Sequence, residues 1–162
     1  MARLLRTLSK AKWLPPDWID AGEVPADALS DLKVTDNAIS VWQVEDDSTN
    51  LETVITALAS NRERLDKVDY TLIDESVLSQ IRIESVSSEA NTPHIKANTA
   101  HRDLVKLTVN KVALLASEMM PLDRVRIPQK DVRRLLLEAL STGVIDRRRI
   151  NPGLLSELEP KA

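Results

Sequence analysis

The sequence predicts an α+β fold, in which a small sheet of about three strands carries two main amphipathic helices, with a helical C-terminal region beyond them. The first observation is size and composition, because 162 residues, 43% of them hydrophobic and 29% charged, are typical of one globular domain, residues 1–162. The second is that apolar residues recur at helical spacing in two long segments, 49–66 and 98–120. The third is a set of short β-branched runs between them.

The first sixteen residues are basic and partly apolar, and we interpret residues 1–16 as a basic N-terminal arm. Three leucines alternate with basic residues, which indicates a short basic amphipathic helix ending at two prolines. The basic residues of this segment are Arg3, Arg6, Lys10 and Lys12. The segment lacks the continuous apolar stretch and the small-residue cleavage site of a secretory signal, so we expect a cytoplasmic protein.

An acidic band follows at residues 17–52, with ten carboxylates and one base. Within it, residues 38–45 have the β-branched and aromatic composition of a strand, and apolar residues on both faces predict that both are covered. Thr49 and Glu52 have the spacing of a capping box. This spacing predicts that Thr49 is the N-cap of the helix over 49–66.

Two further strands are predicted after this helix, over residues 69–73 and 81–86, with a short helix over 74–80 between them. Residues 87–97 have the composition of a surface loop. This loop leads into the longest unbroken helical pattern of the chain, residues 98–120, which a proline ends.

Two leucines of that predicted helix, Leu107 and Leu114, fall one heptad apart within its polar arc, beside Lys111 and Glu118. We interpret these four residues as a candidate partner-binding surface, because an exposed apolar stripe rimmed by charge is typical of an interface. The alternative is that the stripe is buried within the protein itself, because a helix predicted over 129–141 can cover it. In that case the two leucines are ordinary core residues.

The C-terminal part, residues 121–162, is predicted to be a basic helical subregion. It begins with a short strand candidate at 123–127. The helix over 129–141 follows, and Gly143 just beyond its last periodic residue predicts the C-terminal cap.

Charge is unevenly distributed along the chain. Residues 17–84 carry sixteen acids and five bases, a net charge of −11, whereas residues 121–150 carry eight bases and four acids, a net charge of +4. The basic residues provide an alternative, nucleic-acid-binding surface, at Arg133, Arg134, Arg147, Arg148 and Arg149. No helix-turn-helix spacing, zinc finger or aromatic stacking platform accompanies them, and the simpler interpretation is pairing with the acidic half of the same chain.

Two acidic pairs follow predicted strands, Asp46 with Asp47 and Asp74 with Glu75. If both pairs met at one sheet edge they would form a divalent-cation site, which would favour a carboxylate-dependent metal enzyme. The interpretation we favour is structural, because carboxylates ahead of a helix complement its dipole and its free N–H groups.

No catalytic, cofactor or phosphate-binding motif is recognised, and we predict no catalytic residue, no cofactor and no enzyme. The absence of cysteine excludes a disulfide framework, a zinc-thiolate site and a thiol nucleophile. The spacing of His94 and His101 does not place two imidazoles on one helix face. A Ser–His–Asp set can be assembled from Ser87 or Ser88 with His101 and Asp103, but no nucleophile-elbow pattern supports it.

The function predicted first is therefore a non-catalytic protein–protein interaction module, an accessory, inhibitory or immunity-type subunit. Its partner is another protein or a second copy of the chain, recognised through surface charge and exposed leucines. A nucleic-acid-contacting regulator is the alternative, and a metal enzyme is the further alternative. No membrane span is predicted, because no apolar run is long enough.

Overall fold

The computed structural model describes residues 2–160, which form a six-stranded antiparallel sheet with helices on both faces. The strands are β1 (Arg3–Thr7), β2 (Ile39–Val44), β3 (Val68–Asp74), β4 (Glu84–Ser87), β5 (His101–Val105) and β6 (Val125–Ile127). Their order in the sheet is β4-β5-β2-β1-β3-β6. The α+β mixture was expected, but a sheet of about three strands is wrong.

Five α-helices and four short 3₁₀ helices connect or follow these strands in the described part of the chain. The α-helices are α1 (Leu51–Ser60), α2 (Glu75–Gln80), α3 (Val109–Met119), α4 (Gln129–Ser141) and α5 (Pro152–Leu158). The 3₁₀ helices are Lys10–Trp13, Ala26–Asp31, Ile95–Ala100 and Arg147–Arg149. None of these helices is long and apolar enough to cross a membrane.

The N-terminal segment is a strand in the interior of the sheet, so the predicted basic helix is wrong. Strand β1 pairs with β2 on one side and with β3 on the other. Leu4 and Leu5 are both fully buried, and because neighbouring strand residues point to opposite faces, each enters a different core. Two adjacent apolar residues of this kind look like part of a helical turn in the sequence.

The predicted helix over 98–120 is also wrong in its first half. Residues 101–105 form β5, which pairs with β2 and β4. Lys106 then has a φ of 55°, which a helix does not tolerate, and Thr108 is the N-cap of α3, its side chain accepting the N–H of Lys111 at 3.2 Å. The chain therefore turns between a strand and a helix at a place where the apolar spacing fits both periods.

Two separate hydrophobic cores cover the faces of the sheet. On one face, Leu5 pairs with Trp42, and α1, α4 and α5 pack over them. On the other face, Leu4 and Val41 lie beneath α2, α3 and the 3₁₀ segments near the N-terminus. The prediction that both faces of the strand over 38–45 are covered is confirmed.

Several other elements agree with the sequence pattern. Strands β2, β3 and β6 and helices α2 and α4 lie within one or two residues of their predicted bounds. Gly143 has a φ of 76°, the left-handed conformation expected at the end of α4. The predicted third strand is shifted towards the C-terminus, because β4 begins at Glu84 after a turn in which Arg82 has a φ of 58°.

The predicted capping box of α1 is wrong. The N-cap is Asn50, and its Oδ1 accepts the N–H of Glu45 at 2.8 Å instead of an N–H of the helix. The N–H of Thr49 donates to Asp47 Oδ1 at 3.1 Å. The polar residues ahead of α1 therefore stabilise the turn that leads from β2, and helix α1 ends at Ser60, before the predicted residue 66.

Candidate interaction surface

An exposed apolar surface forms where the segment after the first 3₁₀ helix lies against α3. Trp18 is 80% exposed and Leu29 is 46% exposed. Both line a cavity of about 500 Å³ whose floor includes Ala113 and Ala116 of α3. A tryptophan exposed to this degree above an apolar floor is uncommon on a surface without a partner.

A second cavity, of about 580 Å³, lies on the other side of the same segment. Its apolar wall includes Pro15 and Met120, and it shares Ile19, Gly22 and Ser117 with the first cavity. The two cavities therefore form one groove along α3, which we call the Trp18 groove.

Both ends of the segment that carries Trp18 are anchored in the core. Trp13 is fully buried, and its Nε1–H donates to Asp31 Oδ2 at 2.9 Å. Asp31 also accepts the backbone N–H of Ser9 at 2.7 Å. Ala28 is fully buried as well. The exposure of Trp18 is thus a property of a fixed loop rather than of a frayed chain end.

Carboxylates surround the Trp18 groove. Asp17 and Asp20 line one of its cavities and Glu23 lines the other. None of these three side chains has an ion-pair partner within residues 2–160. The groove therefore combines an apolar floor with an uncompensated acidic rim.

The structure separates the two leucines that define the predicted partner-binding stripe. Leu107 lies before α3 and is buried, with 5% of its surface exposed, whereas Leu114 lies on α3 and is 41% exposed. The prediction that the two leucines share one helix face is therefore wrong, because Leu107 is a core residue of the turn between β5 and α3. Leu114, Lys111 and Glu118 remain together on α3, and binding of a partner through them stays a prediction.

Two arginines of the predicted nucleic-acid surface lie on α4 and contact the protein itself. Arg133 donates to the backbone carbonyls of Glu157 and Leu158, at 2.8 and 3.1 Å, at the end of α5. Arg134 lies 3.8 Å from Glu138, one helical turn away. Arg133 thus satisfies carbonyl groups that the end of a helix leaves free.

The other three arginines of that surface form a 3₁₀ turn and are also engaged. Arg147 makes a two-pronged ion pair with Glu159, and Arg148 pairs with Asp146 at 2.9 Å. Arg149 donates to the side chain of Asn91 at 3.3 Å. Arg147 and Arg148 therefore pair with acids of the C-terminal region, and Arg149 with an amide. The expected pairing of this run with the acidic half of the chain is wrong.

The two acidic pairs lie at the same end of the sheet but on either side of β1. In the strand register, Arg3 is opposite Val44 on one side and opposite Asp74 on the other. No cluster of three or more possible metal ligands occurs among the described residues. The structure therefore does not bring the pairs Asp46 with Asp47 and Asp74 with Glu75 into one cluster.

Ser88 and His101 do come together, although not as part of a triad. Ser88 Oγ lies 2.7 Å from His101 Nδ1, and the imidazole packs edge-on against Trp42. The side chain of Asp103 contacts Ser40 Oγ at 3.4 Å instead of the imidazole. A triad needs the serine and the carboxylate on opposite nitrogens of the ring, and this arrangement does not provide them.

The sequence interpretation missed Trp18 and Leu29, because neither residue belongs to a segment with a clear helical or strand period. The available signal was a tryptophan placed between acids in a segment that begins with two prolines. Such a residue cannot enter a periodic core face, so it is either an anchor of the loop or an exposed contact.

Comparison of the chain with protein-family models, with curated proteins and with solved structures finds no match in any of the three.

Proposed function

We propose that this protein is a non-catalytic interaction module, an accessory, inhibitory or immunity-type subunit, that captures a basic amphipathic helix of another protein in the Trp18 groove. The observation that carries the proposal is the 80% exposure of Trp18 on a segment whose two ends are buried. Tryptophan is among the residues that contribute most to binding when a partner covers it.

The shape of the groove favours a helix with an apolar face. Trp18 and Leu29 line it together with Ala113 and Ser117 of α3, whose small side chains leave space beside the two large ones. Apolar side chains spaced three or four residues apart on a partner helix would fill the two cavities in succession. The contact would bury apolar surface that is now in water.

Charge selects the partner. The carboxylates of Asp17, Asp20 and Glu23 make no ion pair with any residue of the described range, so lysines and arginines on the flanks of a partner helix would complement the rim and accelerate association. A second copy of this chain is a poorer partner, because its arginine run is already paired with its own acids. The same pairing lowers the support for the nucleic-acid alternative.

The first experiment uses a synthetic amphipathic helix with leucines on one face and lysines on the other, and a matched peptide with glutamates in place of the lysines. Fluorescence anisotropy with labelled peptides measures binding. We expect the lysine peptide to bind, with an affinity that falls as salt is raised, and the glutamate peptide not to bind. Equal binding of both peptides would contradict the acidic rim as the selecting feature.

The variant Trp18→Ala tests the anchor, with Leu14→Ala as the matched control. Leu14 is 57% exposed in the same segment but does not line the groove. We expect Trp18→Ala to weaken binding of the lysine peptide at least about tenfold, and Leu14→Ala to leave it unchanged. Equal effects of the two variants would show that the groove is not the binding site.

A photo-cross-linking residue at position 18, in the native host, tests the physiological partner. We expect the cross-linked segment of the partner to be basic and amphipathic. A cross-link to a second copy of this chain, or to an acidic segment, would overturn the proposed partner class.

A further inference from the structure

A buried histidine lies between two cavities on the opposite side of the sheet from the Trp18 groove. His94 is only 4% exposed, and it lines one cavity of about 520 Å³ and another of about 330 Å³. Thr53 and Val144 also line both cavities. The two cavities therefore adjoin at these three residues and form one cleft between α1, α4 and the 3₁₀ helix Ile95–Ala100.

The imidazole of His94 presents a hydrogen-bond donor without an acceptor. Nδ1 accepts the backbone N–H of Ala97 at 3.2 Å, so the neutral ring carries its proton on Nε2. Burial lowers the pKa of His94, which keeps the ring neutral at pH 7. No residue in the range 2–160 accepts a hydrogen bond from Nε2–H. Because every buried side-chain nitrogen and oxygen of residues 2–160 has a hydrogen-bond partner, Nε2–H is open to the cavities that His94 lines. A ligand with an acceptor would take the place of water at this donor.

Buried polar contacts hold the histidine in place. Thr92 Oγ1 accepts the N–H of His94 at 3.2 Å and donates to Asn98 Oδ1 at 2.6 Å. Asn98 Nδ2 donates in return to the carbonyl of Thr92 at 3.1 Å. All three residues are buried, so the backbone that carries the imidazole is fixed before any ligand arrives.

The larger cavity has a set of donors that suits a carboxylate. Thr53 of helix α1 lies in its wall, and the N–H of Thr53 has no acceptor among the described residues, because the side chain of the N-cap residue contacts Glu45 instead. Lys96 lines the same cavity. The helix N-terminus, the ammonium and the imidazole N–H all favour a negative group. Glu45, also in the wall, disfavours a multiply charged anion such as phosphate.

The smaller cavity has the opposite character. Glu52 and Glu138 line it, and no lysine or arginine among residues 2–160 does. Glu138 lies 3.8 Å from Arg134, so the two carboxylates face one cation and keep a net negative charge that favours a positively charged group. Leu135 and Ala139 of α4 provide an apolar surface beside them. The two adjoining cavities thus have complementary poles, with donors on one side and carboxylates on the other.

We infer that this cleft binds a free α-amino acid with a small aliphatic side chain. Its carboxylate would accept from His94 Nε2–H and the start of α1, its ammonium would face Glu52 and Glu138, and its side chain would lie against Leu135 and Val144. No aromatic residue lines either cavity, so neither provides a stacking platform for a nucleobase or a sugar. This inference does not depend on the Trp18 groove.

The test is calorimetric titration of the full chain with L-valine and with two analogues that each lack one charge. Isovalerate lacks the ammonium of valine, and isobutylamine lacks its carboxylate. We expect valine to bind, and each analogue to bind at least about tenfold more weakly. Isovalerate binding as tightly as valine would overturn the inference. Absence of binding by every standard L-amino acid at millimolar concentration would overturn it as well.

Three variants locate the site. His94→Asn keeps an acceptor for the N–H of Ala97 but removes the Nε2–H donor, so affinity for valine should fall about tenfold while the melting temperature changes little. Glu138→Gln should weaken the binding of valine but not the binding of isovalerate. Glu63→Gln, exposed and outside both cavities, is the control and should change the affinity for neither ligand. Unchanged affinity in His94→Asn would contradict the assignment.

If His94→Asn does not fold, nuclear magnetic resonance of the unaltered protein decides the same question. We expect valine to shift the ring resonances of His94 and to leave those of His101, which lies outside both cavities, in place. Valine binding that leaves the resonances of His94 unchanged would overturn the site.

Discussion

The guanidinium of Arg126 donates two hydrogen bonds to the buried carboxylate of Asp69, from Nε to Oδ1 at 2.7 Å and from Nη2 to Oδ2 at 3.0 Å. The two residues are direct partners across β3 and β6, so the ion pair fastens the edge strand to the sheet. Oδ2 also accepts the backbone N–H of Lys10 at 3.2 Å. One carboxylate thereby joins the edge strand and the first 3₁₀ helix to the interior of the sheet.

Replacing Asp69 by Asn should reduce the free energy of unfolding by about 2 kcal/mol, because the bidentate pair is lost and the isosteric amide can satisfy only part of the donors. Urea denaturation at pH 7 measures the change. The control is Asp66→Asn, which removes an exposed carboxylate near Lys67 and should cost less than about 0.5 kcal/mol. Equal effects of the two substitutions would contradict the structural role of Asp69.

The stabilisation by the Asp69–Arg126 ion pair depends on pH, and the direction of the pKa shift of Asp69 sets this dependence. The hydrogen bonds from Arg126, which outweigh the opposing effect of burial, hold the pKa of the Asp69 carboxyl below its ordinary value. Its stabilisation is therefore complete above the unfolded-state pKa of about 4 and is lost as pH falls through the lower folded-state pKa. Denaturation of the parent and of Asp69→Asn from pH 7 downward should show the difference in stability shrinking only below about pH 4. A constant difference at all pH values would refute this linkage.

Thr108, not Thr49, should behave as a helix cap. Thr108 Oγ1 accepts the N–H of Lys111 at 3.2 Å, whereas the side chain of Thr49 makes no capping bond to α1. Thr108→Ala should therefore cost about 1 kcal/mol of stability. Thr49→Ala should change it by less than about 0.5 kcal/mol. Comparison of the two denaturation midpoints checks the assignment, and the reverse order would restore the capping box at Thr49.

Leu107 and Leu114 should differ sharply when each is replaced by Ala. Leu107 is 5% exposed, and its removal leaves a cavity in the core beneath α3, so Leu107→Ala should cost about 3 kcal/mol. Leu114 is largely in water, and Leu114→Ala should cost less than about 1 kcal/mol. Thermal melting measures both. Similar losses in the two variants would mean that Leu114 is covered in solution, for example by a second copy.

The arginine run should not give this protein general affinity for duplex nucleic acid. Arg147 and Arg148 are held by Glu159 and Asp146, and a phosphate would have to displace these carboxylates. We expect no sub-micromolar binding of a labelled duplex at physiological salt. If such binding occurs, replacing all three arginines of the run by Ala should flatten its dependence on salt by up to about 3 units, and that result would favour the regulator over the interaction module.

The sequence by itself determined the elements whose hydrophobic pattern fits only one type of secondary structure. Residues 38–45 contain three β-branched aliphatic side chains and one tryptophan, and residues 39–44 form β2. The apolar spacing over 129–141, together with Gly143, specifies α4 and its end. These signals are local, since each depends on side chains within a few turns or strand residues of one another.

Tertiary structure decided the elements whose hydrophobic pattern fits both a helix and a strand. Leu4 and Leu5 are compatible with a helical turn, and they form a strand because β2 and β3 satisfy the backbone of β1 on both sides. Residues 101–105 fit a helical period as well, and they form β5 because β2 and β4 offer open edges. Hydrogen bonds between strands that are distant in sequence outweigh the local preference for a helix. The sequence of a single segment does not reveal these hydrogen bonds.

Both candidate sites also depend on such contacts. Trp18 meets α3 across about ninety residues of chain, and His94 meets Thr53 across about forty. Neither tryptophan nor histidine has a partner at a motif spacing, so composition alone cannot distinguish them from ordinary core residues. The sequence determined the residue types and the acidic charge around Trp18. Only the folded sheet decided which of those side chains face the same space, because the pairing of distant strands sets the positions of the helices above them.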